Sequence, residues 1–217
     1  MIGLIIGDGH ISSQHNIIIS HCIKQKEYLV YKTKLLHSVV GGKDINIHEK
    51  LQKYSYWVDN EKIIKTAEIC RIKKGSTNFK WLRELMYPEN KKIITQKTLD
   101  MIDETSIMLW WLDDGNLDKH KSGSGSICWQ LRWNTFVSET EVKLIQKYFK
   151  EKWDINWNIG IYDKRTPKWC LKCGKKEGEK FFTIFRNKVL EKIPSMAYKV
   201  LFNDTSAEQL IKADDIV

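Results

Sequence analysis

Residues 1–9 read MIGLIIGDG, and residues 107–115 read IMLWWLDDG. In each, an apolar run suited to a short buried helix stops on an aspartate followed by glycine. Ending a buried helix on a carboxylate is costly unless the charge meets a cation or hydrogen-bond donors. Either Asp-Gly alone reads as an ordinary C-terminal turn. Two of them, at Asp8 and Asp114 and at matching places in a repeat, call for a common explanation. Gly3 and Gly7 lie four residues apart, so their missing side chains allow two such helices to pack closely. Packed side by side, the helices would bring both carboxylates to one edge of the molecule. Adjacent carboxylates repel, and a divalent cation relieves the repulsion. Oxygen ligands suit Mg²⁺, and two such ions can stabilise the attacking and leaving oxygens of a phosphodiester displacement.

Outward from these helices the chain is written twice. After Gly9, Ile17–Lys24 is a β-rich run. Lys26–Val40 follows as an amphipathic helix with Tyr28, Leu29, Leu35, Leu36 and Val39 on its apolar stripe, stopped by Gly41-Gly42. Strand-like runs at 45–53, 54–58 and 63–73 lead to a helix over about 78–87. After Gly115 the order returns: a strand over 127–136, then a helix opened by Ser138 with Glu141 three residues on, a capping-box pattern. Strands at 156–162 and 168–173 and a helix over about 179–190 complete it. The pattern predicts an α+β protein of tandem αββαββα repeats, with halves at 1–100 and 101–217.

The predicted strands alternate. In 45–53, Ile45, Ile47 and Leu51 are expected to point inward, leaving Asn46, His48, Lys50 and Gln52 outside. In 127–136, Trp129, Leu131 and Trp133 alternate with Gln130, Arg132 and Asn134. A sheet with one solvated face is routine. Here the outward side chains are the Asn, Gln, His, Lys and Arg types that match base edges and phosphates. Lys24, Asn46, His48, Lys50, Gln52, Arg71, Lys73, Gln130, Arg132, Asn134, Asn156, Asn158, Lys168 and Lys172 are therefore candidates for nucleic-acid contact.

A formal charge of +9, mostly lysine and spread along the chain, fits a long contact with a phosphate backbone. No stretch approaches the ~20 apolar residues of a membrane span, and the N-terminus lacks a signal-peptide pattern. Of the five cysteines only Cys170 and Cys173 have metal-like spacing, without a second pair. They read as reduced thiols of an intracellular protein, in an organelle (mitochondrial) matrix or a bacterial or phage-host cytoplasm. Ser122–Ser126 reads as a loop tip and Asn203-Asp204-Thr205 as a sequon without consequence. Asp113–Asp118 lacks the ligand order of a calcium loop, Gly123-Ser124-Gly125 lacks the third glycine of a dinucleotide site, and His10 reads as a solvent-facing loop residue.

The two helices, the NKKI at 90–93 and the IPSMAYK at 193–199 together resemble the LAGLIDADG homing endonucleases, in their single-chain, two-motif, intron-encoded branch. The resemblance covers nearly the whole chain. It implies two antiparallel sheets forming a DNA-binding saddle around a central two-helix interface, and site-specific double-strand cleavage with short 3′ overhangs at a long asymmetric target. It implies Asp8 and Asp114 as the metal-binding catalytic acids, with the carbonyls of Gly7 and Asp113 completing the metal shell. It implies catalytic support from Lys92 (or Lys91) and Lys199. Mg²⁺ is the expected cofactor, with Mn²⁺ or Ca²⁺ substituting for binding. Double-stranded DNA is the expected partner of a monomer with no obligate protein partner. Leu109 stands where the first helix has Gly3, which predicts looser helix packing. Ser20, His21 and Cys22 compete for the polar place on the first strand. An intron RNA maturase, or a non-catalytic DNA-binding regulator on the same scaffold, are the rival readings; a regulator would be expected to have lost an acidic residue.

Overall fold

The computed structural model describes residues 1–58, 61–121, 127–163 and 168–202; Ser122–Ser126 and the Asn203 sequon lie outside them. The chain divides into two compact units, 1–110 and 111–217. The first opens with helix α1 (Ile2–Ile6), strands β1 (His10–Ile11) and β2 (Asn16–Cys22), and helix α2 (Lys26–Val40). Strands β3 (His48–Val58) and β4 (Glu61–Gly75) and helices α3 (Lys80–Met86) and α4 (Gln96–Asp100) follow. Helix α5 (Glu104–Asp114) begins in the first unit and ends in the second. The second unit continues with β5 (Gly115–Lys121), β6 (Ile127–Val137), α6 (Glu139–Trp153), β7 (Asn158–Asp163), β8 (Lys168–Gly174), α7 (Lys175–Thr183) and α8 (Arg186–Lys192). Each unit carries one four-stranded antiparallel sheet, ordered β1-β2-β4-β3 in the first and β5-β6-β8-β7 in the second. The αββαββα repeat is thus present. Among the described residues no helix is long and apolar enough to cross a membrane.

Several elements differ from the pattern reading. The runs at 45–53 and 54–58 are one strand, β3, and β1 and β5 pair directly with β2 and β6. β5 reads GNLDKHK, poor in β-formers, and depends on pairing rather than propensity. His10 belongs to β1 rather than a loop, although it is exposed as expected. The last predicted helix splits at Phe185, whose backbone (φ −148°, ψ −2°) leaves the helical region between α7 and α8. Leu51 is 68% exposed and Ile64 63%, because of the long β3–β4 hairpin only Cys70 and Ile72 on β4 reach the buried core face. Val39 faces solvent, and Lys32 takes an interior place on α2 instead.

The first unit's core is aliphatic: Ile5, Ile11, Ile17, Ile19, Leu29 and Leu36 are fully buried. α1 meets α5 inside this core. A Cβ on Gly3 would lie 2.4 Å from the Cα of Ser106, so the two backbones touch and only glycine fits. The close approach survives Leu109 because Gly3 meets Ser106. Tyr28 on α2 ties the same helix in place by donating its hydroxyl proton to the Leu109 carbonyl at 3.0 Å.

The second unit packs aromatics. The Phe181 ring lies 5.1–5.3 Å from the rings of Trp111, Trp133 and Trp157, tilted or edge-on, the geometry aromatic quadrupoles favour. α6 starts as its sequence predicts: the Ser138 hydroxyl accepts from the Glu141 amide while Glu141 accepts from the Ser138 amide.

Candidate active site and nucleic-acid interface

Both Asp-Gly steps turn for the same steric reason. A Cβ on Gly9 would sit 1.9 Å from the Leu4 carbonyl oxygen, and one on Gly115 2.3 Å from the Trp111 ring. The chain folds back so tightly on each helix end that no side chain is tolerated after the aspartate. The helix ends themselves are held by lysines. Lys92 Nζ donates to the carbonyls of Ile5 (2.8 Å), Gly7 (2.7 Å) and Gly9 (3.1 Å), engaging all three ammonium protons. In the second unit Lys199 Nζ donates to the carbonyls of Leu112 (2.6 Å) and Asp113 (3.4 Å). The terminal carbonyls of a helix lack intrahelical donors and carry partial negative charge, so an ammonium is their natural complement. Each lysine arrives from a proline-initiated 3₁₀ turn, Pro88–Asn90 in the first unit and Pro194–Lys199 in the second.

Asp8 is exposed at the end of α1, and Asp113 and Asp114 are partly exposed at the end of α5. The oxygen donors at each helix end suit a hard divalent cation. The Gly7 and Asp113 carbonyls each hold a lysine proton and keep a second lone pair. Beside Asp8 lies a group that sequence reasoning left among three alternatives. Of Ser20, His21 and Cys22, it is His21 that turns inward, its Nδ1 3.5 Å from Asp8 Oδ2. Its other ring nitrogen, Nε2, lies 3.1 Å from Nζ of the fully buried Lys32. Lys32 was missed altogether, though a lysine between Leu29 and Leu36 on an apolar stripe is a visible signal.

Strand register sorts the DNA-contact candidates. In the first sheet Ser20, Arg71 and His48 are cross-strand neighbours, and Ile18 pairs with Lys73. Since Ile17, Ile19 and His21 are buried on β2, the alternate residues and their partners form the open face. That face carries His48, Lys50, Gln52, Arg71 and Lys73 together, with Arg71 Nε donating to the Ser20 hydroxyl at 2.7 Å. Lys24 lies in the 3₁₀ turn after β2, and Asn46 precedes β3. In the second sheet Leu131 and Trp133 are buried, so Gln130, Arg132 and Asn134 share the open face with Lys172 and Asn158 through direct pairing. Arg132 pairs there with Asp118 of β5 (Nη2–Oδ2 3.2 Å), a carboxylate sequence reading did not anticipate. Lys168 Nζ sits 5.2 Å above the Phe136 ring. Asn156 stands before β7, and both its amides donate to Glu177, at 2.8 and 3.2 Å.

Cys170 and Cys173 are free and buried. Burial pushes the Cys173 thiol up to about 12, so it stays protonated.

Two repeats, each closing an apolar helix on Asp-Gly beneath a lysine clamp and each presenting a polar sheet face, define a duplicated α+β nucleic-acid enzyme scaffold. Residues 1–181 match the model of the LAGLIDADG DNA endonuclease family, and the chain belongs to that family. The family is one of DNA endonucleases. No curated protein matches the chain. Among solved structures, the homing endonuclease I-WcaI bound to its DNA recognition sequence is 22% identical, with a TM-score of 0.67 over 93% of this chain and 84% of that one. This likeness extends to the fold. I-DmoI in complex with DNA and Ca is 10% identical with a TM-score of 0.46, each chain covered to 84%. Meganuclease I-SmaMI bound to uncleavable DNA is 10% identical with a TM-score of 0.44, over 98% of this chain and 94% of that one.

Proposed function

We propose that the chain acts as a monomer that cuts both strands of one long, asymmetric DNA site with Mg²⁺, leaving a staggered end with short 3′ overhangs. The observation that carries this reading is the duplication of the helix end: Asp8 under Lys92 in one unit, Asp114 under Lys199 in the other. One carboxylate per unit is the provision a single chain needs for two scissions. Bound there, a divalent ion would lower the pKa of an attacking water and neutralise charge on the departing ester oxygen. The protein's own part is to hold the carboxylates at fixed turns, to keep each lysine's charge at the helix end, and to fix the duplex by its sheet faces. The two faces carry different side chains, His48, Lys50 and Gln52 in one and Gln130, Arg132 and Asn134 in the other. That difference supports an asymmetric target. A regulator on the same scaffold has no need of either carboxylate, and both are retained.

The test begins with a randomised duplex library incubated with the protein and Mg²⁺, the cut ends being sequenced. One recurrent asymmetric site is expected. Asp8→Asn and Asp114→Asn should each abolish double-strand cleavage of that site while leaving binding and folding intact. Full cleavage by both variants would refute the assignment. Light scattering should give a single 25.6 kDa chain, free and on the duplex; a stable dimer on a palindromic site would refute the single-chain reading.

A further inference from the structure

We propose that Lys32 is a positioning residue: through His21 it fixes the carboxylate of Asp8, and so it governs one of the two strand scissions and not the other. The proposal rests on Asp8 serving the cleavage chemistry proposed above.

The chain of contacts is short. Lys32 is 0% exposed in the middle of α2, its Nζ 3.1 Å from His21 Nε2 and 4.5 Å from the centroid of the Tyr28 ring. An ammonium has protons to give and no lone pair to offer. His21 Nε2 must therefore accept, which leaves the ring proton on Nδ1, the nitrogen that faces Asp8 Oδ2 at 3.5 Å. A histidine whose far nitrogen is engaged has a fixed tautomer and a fixed ring orientation, the arrangement by which outer residues orient metal-binding groups. His21 is itself 5% exposed and walled by Tyr28, with ring centroids 5.0 Å apart. The imidazole cannot turn to present the other edge without leaving Lys32.

The repeat supplies the control. α2 and α6 are both fifteen residues long, and an offset of 113 residues superposes three of the four buried positions of each: Leu29 on Val142, Lys32 on Ile145, Leu36 on Phe149. Where the first unit buries a lysine, the second buries an isoleucine, also 0% exposed. β6 contains no histidine. The scaffold therefore does not require a charge at this place. Burying an ammonium is costly before compensation, and swapping both members of a buried polar pair for apolar side chains is often neutral or stabilising. Lys32 is thus unfavourable as a packing residue, and its contact with His21 leads on to Asp8.

The experiment uses the full chain and a supercoiled plasmid carrying the site recovered from the library. Lys32→Met, with Lys32→Ile as the second variant copying the repeat, leaves the buried His21 Nε2 without this partner and should lower the thermal midpoint, whereas Lys32→Met/His21→Phe, which removes both polar groups, should bring it back to or above that of the parent protein. Cleavage of one strand, the same one in every molecule, should slow by about 10–100-fold, so that nicked circles accumulate, while the other strand is cut at close to the normal rate. His21→Phe should give the same strand bias, and Lys32→Met/His21→Phe should be no worse than His21→Phe alone, since residues acting in series are not additive. A readout independent of cleavage is the long-range ¹H–¹⁵N imidazole spectrum of the metal-free protein. It should show His21 protonated on Nδ1 in the parent and shifted toward the Nε2 tautomer in Lys32→Met. Equal slowing of both strands, additive losses in the double variant, or an unchanged His21 tautomer would each overturn the proposal. Failure of the parent protein to cut any site would instead refute the underlying function, so the two outcomes are distinct.

Discussion

Lys92 should matter to folding before it matters to chemistry. Its ammonium spends all three protons on carbonyls of one turn, those of Ile5, Gly7 and Gly9. Lys92→Met keeps the aliphatic stem and removes only the charge and the three donors. A hydrogen bond involving a charged group contributes about 1.5–3 kcal/mol net, which would overshoot if tripled, because the site is part-buried and water can reach some of the freed carbonyls. Loss of charge at the helix C-terminus adds about 0.3–1 kcal/mol. A total of roughly 2–4 kcal/mol is expected. Lys199 makes one short contact (2.6 Å) and one long one (3.4 Å), so Lys199→Met should cost less, about 1.5–3 kcal/mol. Urea unfolding of the metal-free, DNA-free protein measures both, with the shift read from the midpoint at constant slope. A loss below about 1 kcal/mol for Lys92→Met, or a larger loss for Lys199→Met, would refute the view that these lysines clamp the helix ends.

Three further outcomes are expected. Asp103 caps α5, accepting from the Ser106 amide at 2.7 Å; partial burial pushes its carboxyl up, but the hydrogen bonds from Ser106 outweigh that and hold it below the usual range. Asp103→Ala should cost about 1 kcal/mol at neutral pH. Because the folded-state value is depressed, that stability exists above the unfolded carboxylate value and fades as pH falls through the folded one. Unfolding curves from pH 7 downward should therefore converge for the parent and the variant, and a constant gap would contradict the cap. Iodoacetamide at pH 8 should label the exposed Cys22 and Cys128 in the native protein, and the buried Cys70, Cys170 and Cys173 only after denaturation, as mass spectrometry would show. The DNA affinity should fall steeply with salt, by about 0.9 in log K per log salt for each phosphate contacted, and Lys50→Ala should flatten that slope by roughly one unit.

The parts legible in the sequence were those written by periodicity, caps and repetition. Lys26–Val40 was bounded by its apolar stripe and by Gly41, and α6 by the Ser138–Glu141 pair. The lysine pair was legible through the resemblance carried by NKKI at 90–93 and IPSMAYK at 193–199, which left Lys91 open beside Lys92. β1 and β5 were not legible, since a two-residue strand and a GNLDKHK strand carry no apolar alternation and exist by pairing with β2 and β6. Leu51 was misassigned inward because alternation reports which residues share a face, not how far the helix layer beneath that face extends. His21 could not be separated from Ser20 and Cys22 because strand phase depends on where β2 begins, and a shift of one residue exchanges the faces.

The duplication also explains why the two units are not interchangeable. Three of the four buried positions of α2 and α6 correspond, yet the first unit fills its interior mainly with isoleucine and leucine while the second adds a cluster of tryptophan and phenylalanine rings. Large rings bury more apolar area per residue, so the second unit can stabilise itself without a polar residue inside. The first unit, built from smaller side chains, also carries the cost of a buried ammonium at Lys32. The second unit holds a fully buried isoleucine, Ile145, at the corresponding place. Retaining the lysine beside His21 and Asp8 is the behaviour expected where local stability is given up to hold a reacting group in place. Lys32→Ile/His21→Phe, which replaces both buried polar partners, therefore reads out both sides of the trade: a stability gain with no loss of scission would place the pair outside the catalytic apparatus, whereas a gain accompanied by single-strand nicking ties the two together.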